Sequence, residues 1–134
     1  MLYAVIDTNV LVSALLSSHD DSSTVVVRNH ILEGTIVPLY NEEIFQEYLD
    51  VLHRPKFQFP TGKIDDILDA ITRNGLMMGR TKTEEVFPDP KDVVFYEVAL
   101  SKEGSYLVTG NTKHFPKTPI VVTPAELLEI IKNL

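Results

Sequence analysis

The sequence predicts an α/β domain built on a parallel sheet with helices on both faces. Three observations carry that expectation. Leu2-Tyr3-Ala4-Val5-Ile6 is an unbroken apolar run without the alternation of a half-exposed strand, so it reads as a strand buried on both sides. Further short apolar runs recur along the chain, and segments with helical periodicity separate them. The chain has 134 residues, 44% hydrophobic and 23% charged, the balance of one globular domain that buries roughly two-thirds of its unfolded surface.

The first strand ends in Asp7-Thr8-Asn9, and Val10 to Leu16 forms a short, nearly all-apolar helix that should be buried. A polar loop from Ser17 to Ser23 follows. Ser22 or Ser23 caps a second helix through Glu33, with Gly34 just past its C-terminus. Thr35 to Tyr40 is the second strand, and Pro38, which has no N–H for a ladder, places it near an edge or a bulge. Asn41 caps a helix from Glu42 to about His53 whose apolar stripe runs through Ile44, Tyr48 and Val51, and Arg54-Pro55 closes it. Lys56 to Gly62, with two phenylalanines, is an ordered loop or a lid. A further helix from about Lys63 to Asn74 packs Ile64, Ile67, Leu68 and Ile71 and ends at Gly75.

Leu76-Met77-Met78 forms a short strand, and a polar stretch leads to Asp89-Pro90-Lys91-Asp92. That tetrapeptide has the form of a helix start, with Asp89 as N-cap, Pro90 in the first turn and Asp92 as capping-box partner, and the helix continues to about Lys102. Ser105 to Thr109 is a strand and Gly110-Asn111 a turn. Ile120 to Val122 is the last strand, and Pro124 opens the C-terminal helix.

Composition narrows the function classes. There is no cysteine, which removes disulfides, thiolate metal sites and thiol nucleophiles and fits a reducing compartment. No apolar stretch approaches the ~20 residues that span a bilayer, and no basic region precedes the first apolar run, so a cytoplasmic chain with no membrane partner is expected. The formal net charge is -7, from 19 acidic and 12 basic side chains, which counts against a broad phosphate-tracking surface. An acid-lined metal site would supply several of those charges.

Ligands of parallel α/β sheets sit beyond the carboxyl ends of the strands, and Asp7 and Asn111 each follow a strand directly. Asp92 should point to the same edge, because Phe95 and Ala99 share its helix face and lie inward. Glu47 borders the apolar stripe of its helix. At ~5 Å and an effective dielectric of about 20, each like-charged pair among these acids repels by roughly 3 kcal/mol. A cation resolves that repulsion. Oxygen donors alone suit Mg²⁺ or Mn²⁺, which activate water and polarise a phosphoryl oxygen, so phosphodiester hydrolysis is the reaction class that fits best.

Four blocks then resemble a known family: V-I-D-T-N-V-L-V-S-A-L at 5–15, E-Y-L-D-V-L-H-R-P-K-F at 47–57, D-P-K-D-V-V-F-Y-E-V-A-L at 89–100 and Y-L-V-T-G-N-T-K-H-F at 106–115. They look like the successive motifs of PIN domains, in particular the PIN toxins of toxin–antitoxin systems. The resemblance implies a three-layer α/β/α fold with a central parallel sheet, a metal-dependent endoribonuclease, a homodimer and an antitoxin partner. It also implies Asp7, Glu47 and Asp92 as catalytic metal ligands, with Thr8, Asn9 and Thr109 as supporting polar groups.

The chain departs from the family at the fourth acidic position, where Asn111 and His114 stand. Asn111 either offers a neutral carbonyl to the metal site or supplies a turn conformation. One strong metal site and a weak second one are expected. Arg54, Lys56, Arg80, Lys82, Lys113 and Lys117, with His114, are candidate RNA contacts. A PIN-fold module that has lost cleavage and serves RNA or protein binding is the alternative, and the missing fourth acid favours it.

Overall fold

The computed structural model describes residues 1–134. Strand β1 (Leu2–Ile6) is the centre of a five-stranded sheet, flanked by β2 (Ile36–Tyr40) and β4 (Tyr106–Val108), with β3 (Leu76–Met77) and β5 (Val121–Val122) at the two edges. Every pairing is parallel. Such pairing requires crossovers: α1 (Thr8–Leu16) and α2 (Ser23–Glu33) link β1 to β2, α3 (Glu42–Leu52) and α4 (Thr61–Asn74) link β2 to β3, and α5 (Val93–Leu100) links β3 to β4, while a 3₁₀ turn joins β4 to β5 and α6 (Pro124–Lys132) follows the last strand. Helix α2 packs against α1, α4, α6 and β2, while α5 packs against β1, β2, β4 and α3. This is the expected three-layer α/β/α arrangement. Ala4, Val5 and Ile6 are fully buried between the layers, as an apolar run without alternation requires.

Four local expectations are corrected. Strand β2 lies inside the sheet and not at its edge. The carbonyl of Thr35 accepts from Leu2 of β1 and that of Tyr40 from Met78 beyond β3, so by alternation the nitrogen of Pro38 faces the β3 side. Pairing with β3 begins only at Leu39, and the missing donor breaks no ladder bond. Gly75 occupies the space there: a Cβ on it would stand 2.5 Å from the Pro38 carbonyl oxygen and 2.3 Å from that of Ile71.

Asp89 does cap its helix, but its carboxylate accepts from the Lys91 N–H (2.9 Å) and a 3₁₀ turn over Pro90–Asp92 precedes α5, so the expected capping box with Asp92 does not form. The reciprocal box is at α6, between Thr123 and Glu126. Helix α1 starts two residues earlier than expected, at Thr8, and only one face of it is buried; Leu16 is 60% exposed. Helix α4 likewise starts early, at Thr61.

Candidate functional site

Because β1 and β4 run parallel and in register, the residues that follow them emerge side by side. The Asp7 N–H donates to the Val108 carbonyl (2.9 Å), which continues the ladder one residue past β1. Thr109 is thereby set next to the acid, and its hydroxyl donates to Asp7 Oδ2 at 2.7 Å while accepting from the Asn111 N–H at 3.0 Å. Asn9 Oδ1 accepts from the Gly110 N–H (3.2 Å) and closes the same edge. Helix α3 is clamped on twice. The Thr8 hydroxyl donates to Glu47 Oε2, and the buried Tyr48 hydroxyl donates to the Ile6 carbonyl.

Asp7 is 7% exposed, and that burial raises its pKa to about 6. The Thr109 hydrogen bond opposes the rise, and the charges of Asp92 and Glu47 add to it. The Asp92 carboxyl is also raised, first by burial and then by Asp89, with His114 acting against both. No lysine or arginine pairs with Asp7, Glu47 or Asp92. Asp92 Oδ2 is buried without a well-formed hydrogen bond; its nearest partner is His114 Nδ1 at 3.5 Å. The other ring nitrogen, Nε2, lies 3.0 Å from Asn111 Nδ2, which fits an imidazole accepting from the amide and presenting its Nδ1–H toward Asp92.

The three acids therefore share one sheet edge and one electrostatic neighbourhood. They do not form a closed ligand set: no three carboxylate or imidazole side chains stand close enough to hold one ion, and Glu47 is turned to Thr8. The donor chemistry of Asp7 and Asp92 still fits a hard cation, since both are carboxylates without a lysine or arginine partner and one oxygen of Asp92 lacks a hydrogen bond.

The candidate RNA contacts separate. Arg54 lines a groove of about 890 Å³ that also takes in Thr8, Asn9, Glu47, Phe57 and Lys91, and exposed Lys56 adjoins it. Lys113 and Lys117 line a second cavity of about 540 Å³ that shares no lining residue with the first. Arg80 is held by two carboxylates, Glu97 (2.7 Å) and Glu43 (2.9 Å). Lys82 lies on the same polar stretch and is exposed.

Glu97 was not among the sequence-based candidates. It is buried on α5, its carboxylate accepts from Arg80 and from the Thr83 N–H (2.9 Å), and its pKa is lowered first by that backbone bond. Its one visible signal was an acid inside the apolar run Val93–Leu100. Tyr48 gave no signal beyond its place in the stripe.

The chain is 26% identical over 110 residues to the protein of Schizosaccharomyces pombe named "Probable nucleolar complex protein 14", covering 81% of this chain and 13% of that relative. The chain thus spans about one-eighth of the relative's length. No solved structure is a significant match. The relative's name places it in a nucleolar complex and overturns the cytoplasmic placement, which rested on missing export signals; these do not distinguish the cytosol from compartments reached without them. Neither a toxin role, an antitoxin nor a homodimer draws support from this relative. The model of the PIN domain matches residues 3–113, most of the chain and the site from Asp7 through Asn111 without His114, and the chain belongs to the PIN domain family.

Proposed function

We propose that this chain is an RNA-binding PIN module with a weakened nuclease centre, working within a larger nucleolar assembly. The observation that supports it is the fourth acidic position. There Asn111 and His114 bond each other and His114 reaches toward Asp92, so an amide and an imidazole stand where a carboxylate would add charge for a cation. With Glu47 engaged by Thr8, the edge favours holding a ligand over completing a multi-carboxylate centre.

One observation favours a second reading, a metal-dependent endoribonuclease. Asp7 is buried and Asp92 half-buried, and no lysine or arginine pairs with either. Mg²⁺ or Mn²⁺ held by Asp7 and Asp92, with Glu47 and Asn111 beside them, would polarise a phosphoryl oxygen and activate water. Within that reading Thr109 keeps Asp7 oriented, Thr8 positions Glu47, and His114 steadies Asp92.

The deciding experiment measures RNA binding, and cleavage with Mg²⁺ or Mn²⁺, for wild type, Asp7→Asn, Glu47→Gln and Asp92→Asn. Wild type should bind RNA and cleave it no faster than Asp7→Asn does. Metal-dependent cleavage that disappears in Asp7→Asn overturns this and establishes the nuclease. In Asn111→Asp, Mn²⁺ binding should tighten.

A further inference from the structure

We propose that the loop from Arg54 to Pro60 is a stacking platform that seats one unpaired base of a bound RNA on Phe57. The inference rests on the RNA-binding reading and specifies which residues hold the strand.

The loop is ordered by its own backbone. The Phe57 N–H donates to the Arg54 carbonyl (3.1 Å) and the Gln58 N–H to the Pro55 carbonyl (3.2 Å). Gln58 then adopts a left-handed conformation, φ 52°, the one non-glycine residue in the chain with positive φ. Side chains two apart on a turn do not ordinarily lie face to face. Here the reversal at Gln58 brings the rings of Phe57 and Phe59 into a parallel stack, 5.0 Å between centroids and 7° between planes. A strained residue that aligns two aromatic rings at the rim of a groove is a reason to look for a ligand.

The two rings have different surroundings. Phe59 packs against the hydrophobic core, whereas Phe57 is neither in the core nor packed on it, and it lines the groove that ends at Thr8 and Glu47. Phe115, by contrast, is buried and meets Phe87 edge-on, so it offers no face to a ligand. Lys56 Nζ stands over the Phe57 ring, 5.1 Å from its centroid, and Arg54 is exposed on the same loop. A base that seats on the ring takes the place of the ammonium, which swings with Arg54 to the flanking phosphates.

Charge selects the strand type. Glu42, Glu43, Glu47 and Asp50 form the α3 wall of the groove, and the chain as a whole carries a net charge of -7. A duplex sets its phosphates densely along both strands and needs many cations to bind, which this groove lacks. A single strand held by one stacked base and two flanking cations keeps most of its backbone away from the acidic wall. Stacking tolerates the negative surface because a base face is uncharged.

The experiment follows binding in EDTA, so that cleavage plays no part. The probes are a short labelled oligoadenylate, the blunt RNA duplex of equal length, and an abasic strand of equal length. The proteins are wild type, Phe57→Ala and Phe57→Trp, the last carrying the only tryptophan in the chain. Oligoadenylate should bind wild type better than either other probe, and Phe57→Ala should weaken it about tenfold with an unchanged melting temperature. Phe57→Trp should retain affinity, and its emission should be quenched by oligoadenylate and not by the abasic strand. If wild type binds RNA but Phe57→Ala binds equally well, or duplex and abasic strand bind as tightly as oligoadenylate, the platform is refuted and the RNA-binding reading stands. If wild type binds no RNA, both are refuted.

Discussion

Replacing Asp7 by asparagine should make the protein more stable at neutral pH, although Asp7 is the acid on which the whole site is centred. Asp7 is 7% exposed and titrates at about 6 in place of 3.8, so keeping it ionised in the folded state costs about 3 kcal/mol above pH 6. The sign follows from the raised value. The folded protein binds a proton more tightly than the unfolded chain; the penalty is absent below pH 3.8, grows between 3.8 and about 6, and is complete above that. Asparagine keeps the shape and an oxygen for the Thr109 hydroxyl while removing the charge. Allowing for its imperfectly satisfied amide, Asp7→Asn should gain about 2 kcal/mol at pH 8, roughly 5–8 °C in melting temperature. Urea denaturation in EDTA at pH 8, 6 and 4 measures the difference, which should shrink as the pH falls. An Asp7→Asn variant less stable than wild type at pH 8, or a gain independent of pH, would refute the reasoning.

Thr109→Val removes the donor to Asp7 and the acceptor for Asn111 without changing volume; the Asp7 titration, followed by carboxyl NMR, should move above its value of about 6, and stability at pH 8 should fall by about 1.5–3 kcal/mol. Arg80→Ala leaves the buried Glu97 with only the Thr83 N–H and separates it from Glu43, a loss of about 1–2 kcal/mol in chemical denaturation. Because the Glu97 pKa is lowered, that contribution is present above its ordinary range and fades as the pH falls, so wild type and Arg80→Ala should converge in acid. Gly75→Ala forces a Cβ against two carbonyl oxygens and should cost more than ~2 kcal/mol, read from the melting temperature.

The elements that read clearly from sequence are those whose burial is complete. β1 is apolar on both faces because helices cover both, and α3 and α4 repeat their apolar residues at helical spacing because each packs one stripe inward. Pro38 misled for a definite reason: its missing donor faces a stretch where the neighbouring strand has not yet begun, a fact that depends on where β3 starts. That Asp7 and Asn111 emerge at one sheet edge followed from strand ends alone, whereas Thr109 was picked out only by the family resemblance. Glu47 turning to Thr8, Arg80 turning to Glu97, and the reversal at Gln58 did not, because each depends on a partner tens of residues away or on a loop without periodicity.

The residues on either side of Asp7 are tied to two consecutive residues in the middle of α3: Ile6 through the Tyr48 hydroxyl, Thr8 through the Glu47 carboxylate. The distance between the strand end and α3 is thus gauged by neighbours of the acid and not by the acid itself. Charge and position at this edge are written in different atoms. The charge of Asp7 can be erased or reintroduced, in evolution or at the bench, while the frame around it keeps its dimensions; a domain that stops cutting can go on holding the same strand in the same place.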